Sequence, residues 1–278
     1  MRDIDASGTL SLGDWTVHRM GFGAMRLTGP GIIGPPADRA ECVRVLRRAV
    51  ELGIDFIDTA DSYGPAVSEE IIAEALHPYP AGVLIATKAG LERPGPHRWK
   101  VNCRPERLRA CCEESLTRLR VETIDLFQLH RIDPDVPEAD QFGALERLRS
   151  EGKIRWVGLS EVGVAAIERA RATLPVVSVQ NKYNVNERGS DDVVDYCGAQ
   201  RIAFIPWYPI GAGAMENTAV AQVAKRHGAT PMQVALAWLL ARSPMMLPIP
   251  GTSKVAHLEE NVRASALRLT PDDLRALT

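Results

Sequence analysis

The chain has 278 residues, enough for one α/β barrel or two smaller domains, and its net charge of −2 gives no reason to expect a nucleic acid or an anionic membrane as a partner. Its contents of 45% apolar and 24% charged residues are those of an ordinary globular protein, and no stretch approaches the roughly 18 apolar residues of a membrane span. The five cysteines form no CxxC pair, so we expect neither a metal site nor a disulfide framework, and a reducing compartment fits best.

The N-terminal segment predicts a small hairpin and no export signal. Residues 1–10 are polar and lack the basic-then-apolar order of a signal peptide, so we expect a cytoplasmic protein. Thr9–Leu12 and Trp15–Val17 flank the pair formed by Gly13 and Asp14, which is typical of a two-residue β-hairpin turn.

Beyond the hairpin, seven short apolar runs each finish on a polar or ionisable side chain. The runs and their endings are Ile54–Ile57 with Asp58, Val83–Thr87 with Lys88, Ile124–Leu129 with His130, Arg155–Leu159 with Ser160, Val176–Val179 with Gln180, Ile202–Pro206 with Trp207, and Met246–Pro250 with the segment 251–254. A strand that is buried on both faces needs apolar side chains, and it tolerates an ionisable group only where it emerges into a site. The endings therefore predict one site fed by many strands.

Helix-like segments with apolar residues at helical spacing alternate with these runs. They are 38–52, 104–119, 137–148, 164–172, 191–197, 220–227 and 231–241. Strand and helix repeated in this way require parallel pairing with right-handed crossovers. The glycine- and proline-rich segments Gly31–Pro36 and Leu91–Arg98 are short and predict loops at the top of a barrel.

The predicted fold is α/β, a (β/α)8 TIM barrel with an N-terminal β-hairpin, and residues 1–278 are predicted to form a single domain because no linker interrupts the alternation. The other common α/β layout is an open doubly wound sheet, which usually carries a GxGxxG motif near its start. The nearest match here, Gly21–Arg26, lacks the third glycine. We therefore expect no Rossmann fold.

Six motifs in order along the chain resemble those of the aldo-keto reductase family. They are DTADSYG at 58–64, ATK at 86–88, LFQLH at 126–130, GLS at 158–160, VQNKYN at 179–184 and IPGTSK at 249–254. The resemblance runs through nearly the whole chain, and within the family it points to a branch that includes pyridoxal reductases. It implies a catalytic tetrad of Asp58, Tyr63, Lys88 and His130.

Elementary chemistry supports the same roles. Reduction of a carbonyl by hydride leaves an alkoxide, which needs a proton from a positioned acid. The pKa of a free tyrosine is about 10, and we expect the ammonium of Lys88 to lower that of Tyr63. A lone buried ammonium is costly, so Asp58 is predicted to pair with Lys88, while His130 is predicted to donate a hydrogen bond to the carbonyl oxygen.

Hydride transfer needs a carrier, and the resemblance implies NADP(H), with NAD(H) use also possible. It places Ser160 and Gln180 on the nicotinamide carboxamide and Trp207 against the nicotinamide ring. The remaining predicted cofactor contacts are Gly211 and Gly213 near the pyrophosphate, Gly251, Thr252, Ser253 and Lys254 at a phosphate-binding helix start, and His257, Glu260 and Asn261 beyond it. His257 stands where many members have an arginine, which weakens the case for strict NADP preference.

The sequence leaves three functional classes open. The first is a reductase of small carbonyl substrates, with pyridoxal as the first single-substrate hypothesis. The second is a Schiff-base lyase that uses Lys88, and the third is a cofactor-binding regulatory subunit with the same fold. No His, Cys and carboxylate cluster has metal-ligand spacing, so no metal is predicted, and neither the natural substrate nor the oligomeric state can be read from the sequence.

Overall fold

In a computed structural model of the chain, which describes residues 2–211 and 217–277, a hairpin precedes a curled parallel sheet. Strands β1 (Thr9–Leu12) and β2 (Trp15–His18) pair antiparallel, as the sequence predicts. The parallel strands are β3 (Phe22–Gly23), β4 (Phe56–Asp58), β5 (Leu84–Ala89), β8 (Ile124–Leu129), β9 (Ile154–Ser160), β10 (Val176–Lys182) and β11 (Ala203–Trp207), and each is hydrogen-bonded to the next in that order.

The helices alternate with these strands and cover the outside of the sheet. They are α1 (Arg39–Glu51), α2 (Val67–Leu76), α3 (Pro105–Leu119), α4 (Glu138–Ser150), α5 (Val164–Arg171), α6 (Asp191–Gln200), α7 (Thr218–His227), α8 (Pro231–Arg242), α9 (Val255–Arg263) and α10 (Pro271–Ala276). Caps define several starts: the Asp38 carboxylate accepts from Glu41 N–H at α1, and Thr230 forms a capping box with Gln233 at α8. None of the described helices is both long and apolar enough to cross a membrane.

An eighth extended segment, residues 245–250, closes the sheet into a ring. Leu247 N–H donates to the carbonyl oxygen of Phe204 in β11 (2.8 Å), and Gly21 N–H, just before β3, donates to the Pro248 carbonyl oxygen (2.9 Å). A Cβ atom on Gly23 would lie 2.6 Å from the Ile249 carbonyl oxygen, so only glycine allows the two segments to approach this closely. The architecture is the predicted (β/α)8 barrel.

Apolar side chains fill the barrel from its amino end upward. One buried cluster joins the barrel strands to the N-terminal hairpin. It contains Phe56, Leu84, Leu126 and Ile205 from four barrel strands, with Leu10 and Leu12 of β1 and Val17 of β2. A second, larger cluster lies between the strands and the surrounding helices. Because the hairpin covers the amino end and alternate residues of each strand point inward, the last inward positions at the carboxyl ends are left for polar side chains.

Two segments differ from the sequence prediction. Leu91–Arg98 was expected to be a loop, but it forms most of a second hairpin, β6 (Leu91–Gly95) with β7 (Arg98–Val101), directly after β5. Helix α2 was not predicted, although Val67–Leu76 carries apolar residues at helical spacing. The hairpin was missed because its proline and glycine residues mark a turn without showing which flanking residues pair.

Candidate active site

The four predicted catalytic residues meet at the carboxyl end of the barrel. Asp58 is the last residue of β4, Lys88 lies near the end of β5, and His130 follows β8, while Tyr63 lies in the segment between β4 and α2. All four side chains are buried. The structure therefore brings together residues that are separated by as many as 72 positions in the sequence.

Lys88 and Asp58 form a buried ion pair. Lys88 Nζ donates to Asp58 Oδ1 (2.6 Å) and to the Thr59 carbonyl oxygen (2.8 Å), and the lysine is fully buried. Burial acts to lower the pKa of Lys88, but the neighbouring carboxylate outweighs it and the net pKa is raised. An amine that stays protonated cannot attack a carbonyl carbon, which argues against the Schiff-base lyase hypothesis.

The second oxygen of Asp58 is held by two glutamine amides. Gln128 Nε2 and Gln180 Nε2 each lie 2.9 Å from Asp58 Oδ2. Gln128 was not predicted, although a signal was present: it lies in β8, two residues before His130, which directly follows that strand, and strand periodicity therefore points both side chains to the same face. The carboxylate accepts three hydrogen bonds and is fixed in one orientation.

Tyr63 presents its hydroxyl to the ion pair. Its oxygen lies 3.5 Å from Lys88 Nζ, and the ammonium is also 5.1 Å from the centre of the phenol ring. Gly64 follows with a φ of +107°, and a Cβ there would lie 2.4 Å from Val67 Cβ, so glycine is required for the turn that places the tyrosine. The predicted proximity of Tyr63 to Lys88 is observed.

The predicted direction of the Tyr63 pKa is wrong. Burial raises the pKa of the phenol above its usual value of 10, and the attraction of Lys88 for the phenolate only partly reverses this shift. The expectation of a lowered pKa considered the ammonium without the loss of water around the ring. Tyr63 is therefore protonated at neutral pH, which is the form that a proton donor requires.

His130 is a neutral imidazole at the edge of the same cavity. Burial lowers its pKa well below the usual 6.5, and the charges of Lys88 and Arg131 lower it further. Its ring meets that of Tyr63 edge to face, with the centres 6.0 Å apart, and Ser62 Oγ lies 3.5 Å from Nδ1. A neutral imidazole keeps one N–H to donate, so His130 can hydrogen-bond a substrate oxygen without adding a charge.

Two more acids are buried in this region, Asp61 in the loop that carries Tyr63 and Glu69 in α2. Glu69 accepts from Arg118 Nε and from Thr87 Oγ1, both at 2.6 Å. Burial raises the pKa of Asp61 to about 7, and its Oδ1 has no hydrogen-bond partner among residues 2–211 and 217–277. Asp61 therefore titrates near neutral pH.

Three predicted nicotinamide contacts lie at or near the carboxyl ends of adjacent strands at the barrel mouth. Ser160 pairs with Gln180 in the register of β9 and β10, and Trp207 pairs with Lys182 at the end of β11. The hydroxyl of Ser160 accepts from Arg131 (3.1 Å) and keeps its own hydrogen to donate, while Gln180 keeps a carbonyl oxygen to accept. The pair can therefore bind both ends of a carboxamide.

Glu161 orients the indole of Trp207, a role that the sequence analysis did not assign. Glu161 Oε1 accepts from Trp207 Nε1 (2.6 Å) and from the backbone N–H of Lys182 (2.7 Å). The residue has a φ of +58°, in the left-handed region, so the backbone turns sharply after Ser160. The contact holds the ring by its edge and leaves its faces available for stacking.

The predicted phosphate-binding segment leads from the closing strand into α9. Lys254 precedes the helix, its N–H donates to Thr252 Oγ1 (3.1 Å), and Ser253 and Lys254 line a cavity of about 400 Å³ that also contains Arg26. His257 is exposed and Asn261 is buried. The remaining predicted residues near this segment are Gly251, which packs against Gly23, and Glu260, which accepts from Thr230 Oγ1 (2.7 Å).

An unpredicted carboxylate reaches the start of α9. Glu41 of α1 accepts from Val255 N–H (3.2 Å), the first helical N–H of α9, and its other oxygen binds Arg44. These contacts, with the backbone N–H of Val255 first, lower the pKa of Glu41. Of the two glycines predicted near the pyrophosphate, Gly211 packs against Asn184, and Gly213 lies outside the described residues.

In the described part of the chain, no three His, Cys, Asp or Glu side chains lie close enough together to hold a metal ion. The described cysteines are all free and buried. The groups that the site offers for chemistry include the buried ammonium of Lys88 and the phenol of Tyr63.

Comparisons with known proteins point to one family. The sequence model of the Aldo/keto reductase family matches residues 19–278. The chain is 52% identical to an uncharacterized oxidoreductase of Schizosaccharomyces pombe, over 97% of this chain and 89% of that protein. It is 40% identical to pyridoxine 4-dehydrogenase of Escherichia coli, over 98% of each chain. Among solved structures, an aldo-keto reductase from Klebsiella pneumoniae in complex with NADPH superposes with a TM-score of 0.83 at 25% identity, over 97% of this chain and 93% of that one.

Proposed function

Since the chain belongs to the aldo/keto reductase family, we propose that it is an NADP(H)-dependent oxidoreductase that reduces an aldehyde or a ketone to the alcohol. The observation that carries the proposal is the buried contact of the Tyr63 hydroxyl with the Lys88 ammonium, which is itself paired with Asp58. All four positions of the family's tetrad are present, which argues against a regulatory subunit without activity.

The residues at the barrel mouth fit a nicotinamide dinucleotide. Ser160 and Gln180 offer a donor and an acceptor to the carboxamide, and Trp207, held at its edge by Glu161, offers a face to the ring. At the other end, the cavity beside α9 contains the cations Arg26 and Lys254, which suit a phosphate. The Klebsiella pneumoniae structure with NADPH supports the same cofactor class.

The side chains of the site divide the work of reduction. When bound, the reduced nicotinamide supplies the hydride, which no side chain can provide. Tyr63 donates its proton to the carbonyl oxygen, and Lys88 stabilises the phenolate that remains. Asp58, fixed by the two glutamine amides, keeps the ammonium charged and in place. His130 donates an N–H to the same carbonyl oxygen and orients the substrate.

We propose pyridoxal as the first substrate to test. The 40% identity to pyridoxine 4-dehydrogenase of Escherichia coli supports it, because oxidation of pyridoxine at its 4-hydroxymethyl group and reduction of pyridoxal are the two directions of one reaction. The exposed indole of Trp99 also lies beside His130, with ring centres 6.3 Å apart, and provides an aromatic surface for a planar ring.

A panel of carbonyl compounds tests the proposed function directly. We expect the protein to oxidise NADPH in the presence of pyridoxal and of other aldehydes, measured by the loss of nicotinamide absorbance, and to use NADH with lower kcat/KM. Absence of turnover with every aldehyde and ketone and both dinucleotides would contradict the proposal. A higher kcat/KM for NADH would overturn the NADP assignment while leaving the reductase in place.

Glu41 predicts how strongly the enzyme distinguishes the two dinucleotides. Its carboxylate occupies the first N–H of α9, where a 2′-phosphate is expected to bind, and like charges repel. We expect Glu41→Gln to raise the ratio of kcat/KM for NADPH over NADH by roughly three- to tenfold. Glu51→Gln, an exposed acid of the same helix that pairs with Arg48, is the matched control and should leave the ratio unchanged. An unchanged ratio in Glu41→Gln would show that this carboxylate does not oppose the phosphate.

A further inference from the structure

The hairpin formed by β6 and β7 places an arginine and a tryptophan at the barrel mouth. The Arg93 guanidinium carbon lies 3.7 Å from the centre of the Trp99 ring, a cation–π contact. Trp99 in turn meets the imidazole of His130 at an angle of 69°. Together these two contacts place the guanidinium within about 10 Å of the imidazole, which is the span of a small aromatic aldehyde.

Only some of the hydrogen-bond donors of Arg93 have a partner among the described residues. Its Nη2 donates to the Gly31 carbonyl oxygen (2.6 Å), but Nε and Nη1 are buried and have no hydrogen-bond partner among the described residues. Burial lowers the pKa of the guanidinium. Buried donors without a partner are costly, and at the rim of a catalytic site they point to a ligand group that completes them.

Glu92, the acid nearest to Arg93 in the sequence, does not form an ion pair with it. Glu92 accepts from Asn102 (2.7 Å) and lies 3.7 Å from both Lys100 and Arg107. The register of the hairpin shifts between Glu92 and Gly95, which turns Arg93 out of regular alternation. No carboxylate within 4 Å pairs with Arg93 in the described part of the chain, so the hairpin carries a cation without an acidic partner at the mouth.

We propose that Arg93 and Trp99 form a substrate subsite for an anionic oxygen carried by an aromatic aldehyde. The indole contacts the aromatic ring beside His130, and the guanidinium of Arg93, whose Nε and Nη1 have no partner among the described residues, binds a carboxylate or phosphate oxygen of the substrate. Residues 91–101 contain three lysine and arginine residues and one glutamate, so the surroundings favour an anion as well. This inference rests on the proposed reductase function, and it adds a preference among substrates that the tetrad alone does not supply.

Two substrates that share a benzaldehyde ring and differ in charge provide the test. We expect the protein to reduce 4-carboxybenzaldehyde with a higher kcat/KM than its neutral methyl ester, mainly through a lower KM. Arg93→Gln should lower that preference by roughly tenfold, and Arg93→Lys should recover part of it. Arg98→Gln removes an exposed cation from the same hairpin and is the control that should keep the preference. A parallel comparison of pyridoxal with pyridoxal 5′-phosphate distinguishes a carboxylate site from a phosphate site.

Binding without turnover separates this inference from the proposed function. Calorimetric titration with 4-(hydroxymethyl)benzoate, with and without NADP⁺, should show binding that Arg93→Gln weakens and Arg98→Gln does not. Turnover of both aldehydes with an Arg93-independent preference overturns the subsite and leaves the reductase intact. Arg93-dependent binding without turnover of any aldehyde supports the subsite and overturns the reductase. Circular dichroism checks that each variant is folded.

Discussion

Replacement of Tyr63 by phenylalanine is expected to lower kcat for aldehyde reduction by about 100-fold or more, the usual contribution of a positioned acid. The variant keeps the ring that contacts His130 and loses only the hydroxyl 3.5 Å from Lys88. Among the described residues, no other tyrosine hydroxyl contacts the Lys88 ammonium, so no second phenol replaces it. Steady-state kinetics with NADPH and a good aldehyde substrate measures the loss.

The binding of NADPH should be unaffected by this change, because Tyr63 is not among the residues proposed to hold the cofactor. Fluorescence titration of Tyr63→Phe with NADPH checks this point. Tyr208→Phe is the matched control, since that tyrosine is exposed at the same end of the barrel and its ring lies near Lys182. A Tyr63→Phe enzyme that retains more than a third of its turnover would rule out the phenol as the acid.

Replacement of Lys88 by methionine is expected to abolish most activity and also to destabilise the fold by about 3–5 kcal/mol. The substitution leaves Asp58 buried and charged, with the two glutamine amides as its remaining side-chain partners, and loss of one partner of a buried ion pair has a cost of this size. Urea denaturation followed by circular dichroism measures the free energy of unfolding. Lys153→Met, at a partly exposed ion pair with Glu113, should change that free energy very little.

The double variant Asp58→Asn with Lys88→Met separates the two effects. It removes both charges, so a substantial part of the lost stability should return, because no unpaired carboxylate remains in the barrel. Activity should stay low, because the ammonium that stabilises the phenolate is still missing. A double variant that is as unstable as Lys88→Met would show that the pair is not the source of the destabilisation.

The site residues at the strand ends could be predicted from the sequence because burial restricts which residues a barrel strand can contain. Inward positions of a barrel strand are apolar until the strand emerges, so Asp58, Lys88 and His130 stood out at the ends of apolar runs. Tyr63 was assigned differently, through the motif DTADSYG at 58–64 that resembles the family's. Local pattern was sufficient because each of these features depends on only a few consecutive residues.

Interactions between distant segments could not be read in the same way. The hydrogen bonds of Gln128 to Asp58 and of Glu41 to Val255 join residues 70 and 214 positions apart. The pKa of Tyr63 was predicted in the wrong direction because the balance between burial and the ammonium depends on the packed environment. The pairing of Leu91–Gly95 with Arg98–Val101 depended on a turn that the composition did not specify.

The closure of the barrel has a consequence for how the protein is made. The ring is completed only when residues 245–250 pair with Phe204 and with the backbone near Gly21. The first and last strands must therefore meet before the active-site end of the barrel is formed. During synthesis, all four tetrad residues, the last of which is His130, are made well before the closing segment 245–250. Until synthesis passes residue 250, two strand edges remain unpaired and open to association with other chains. A chain that ends before residues 245–250 would thus expose unpaired strand edges and tend to aggregate, instead of being a less active enzyme.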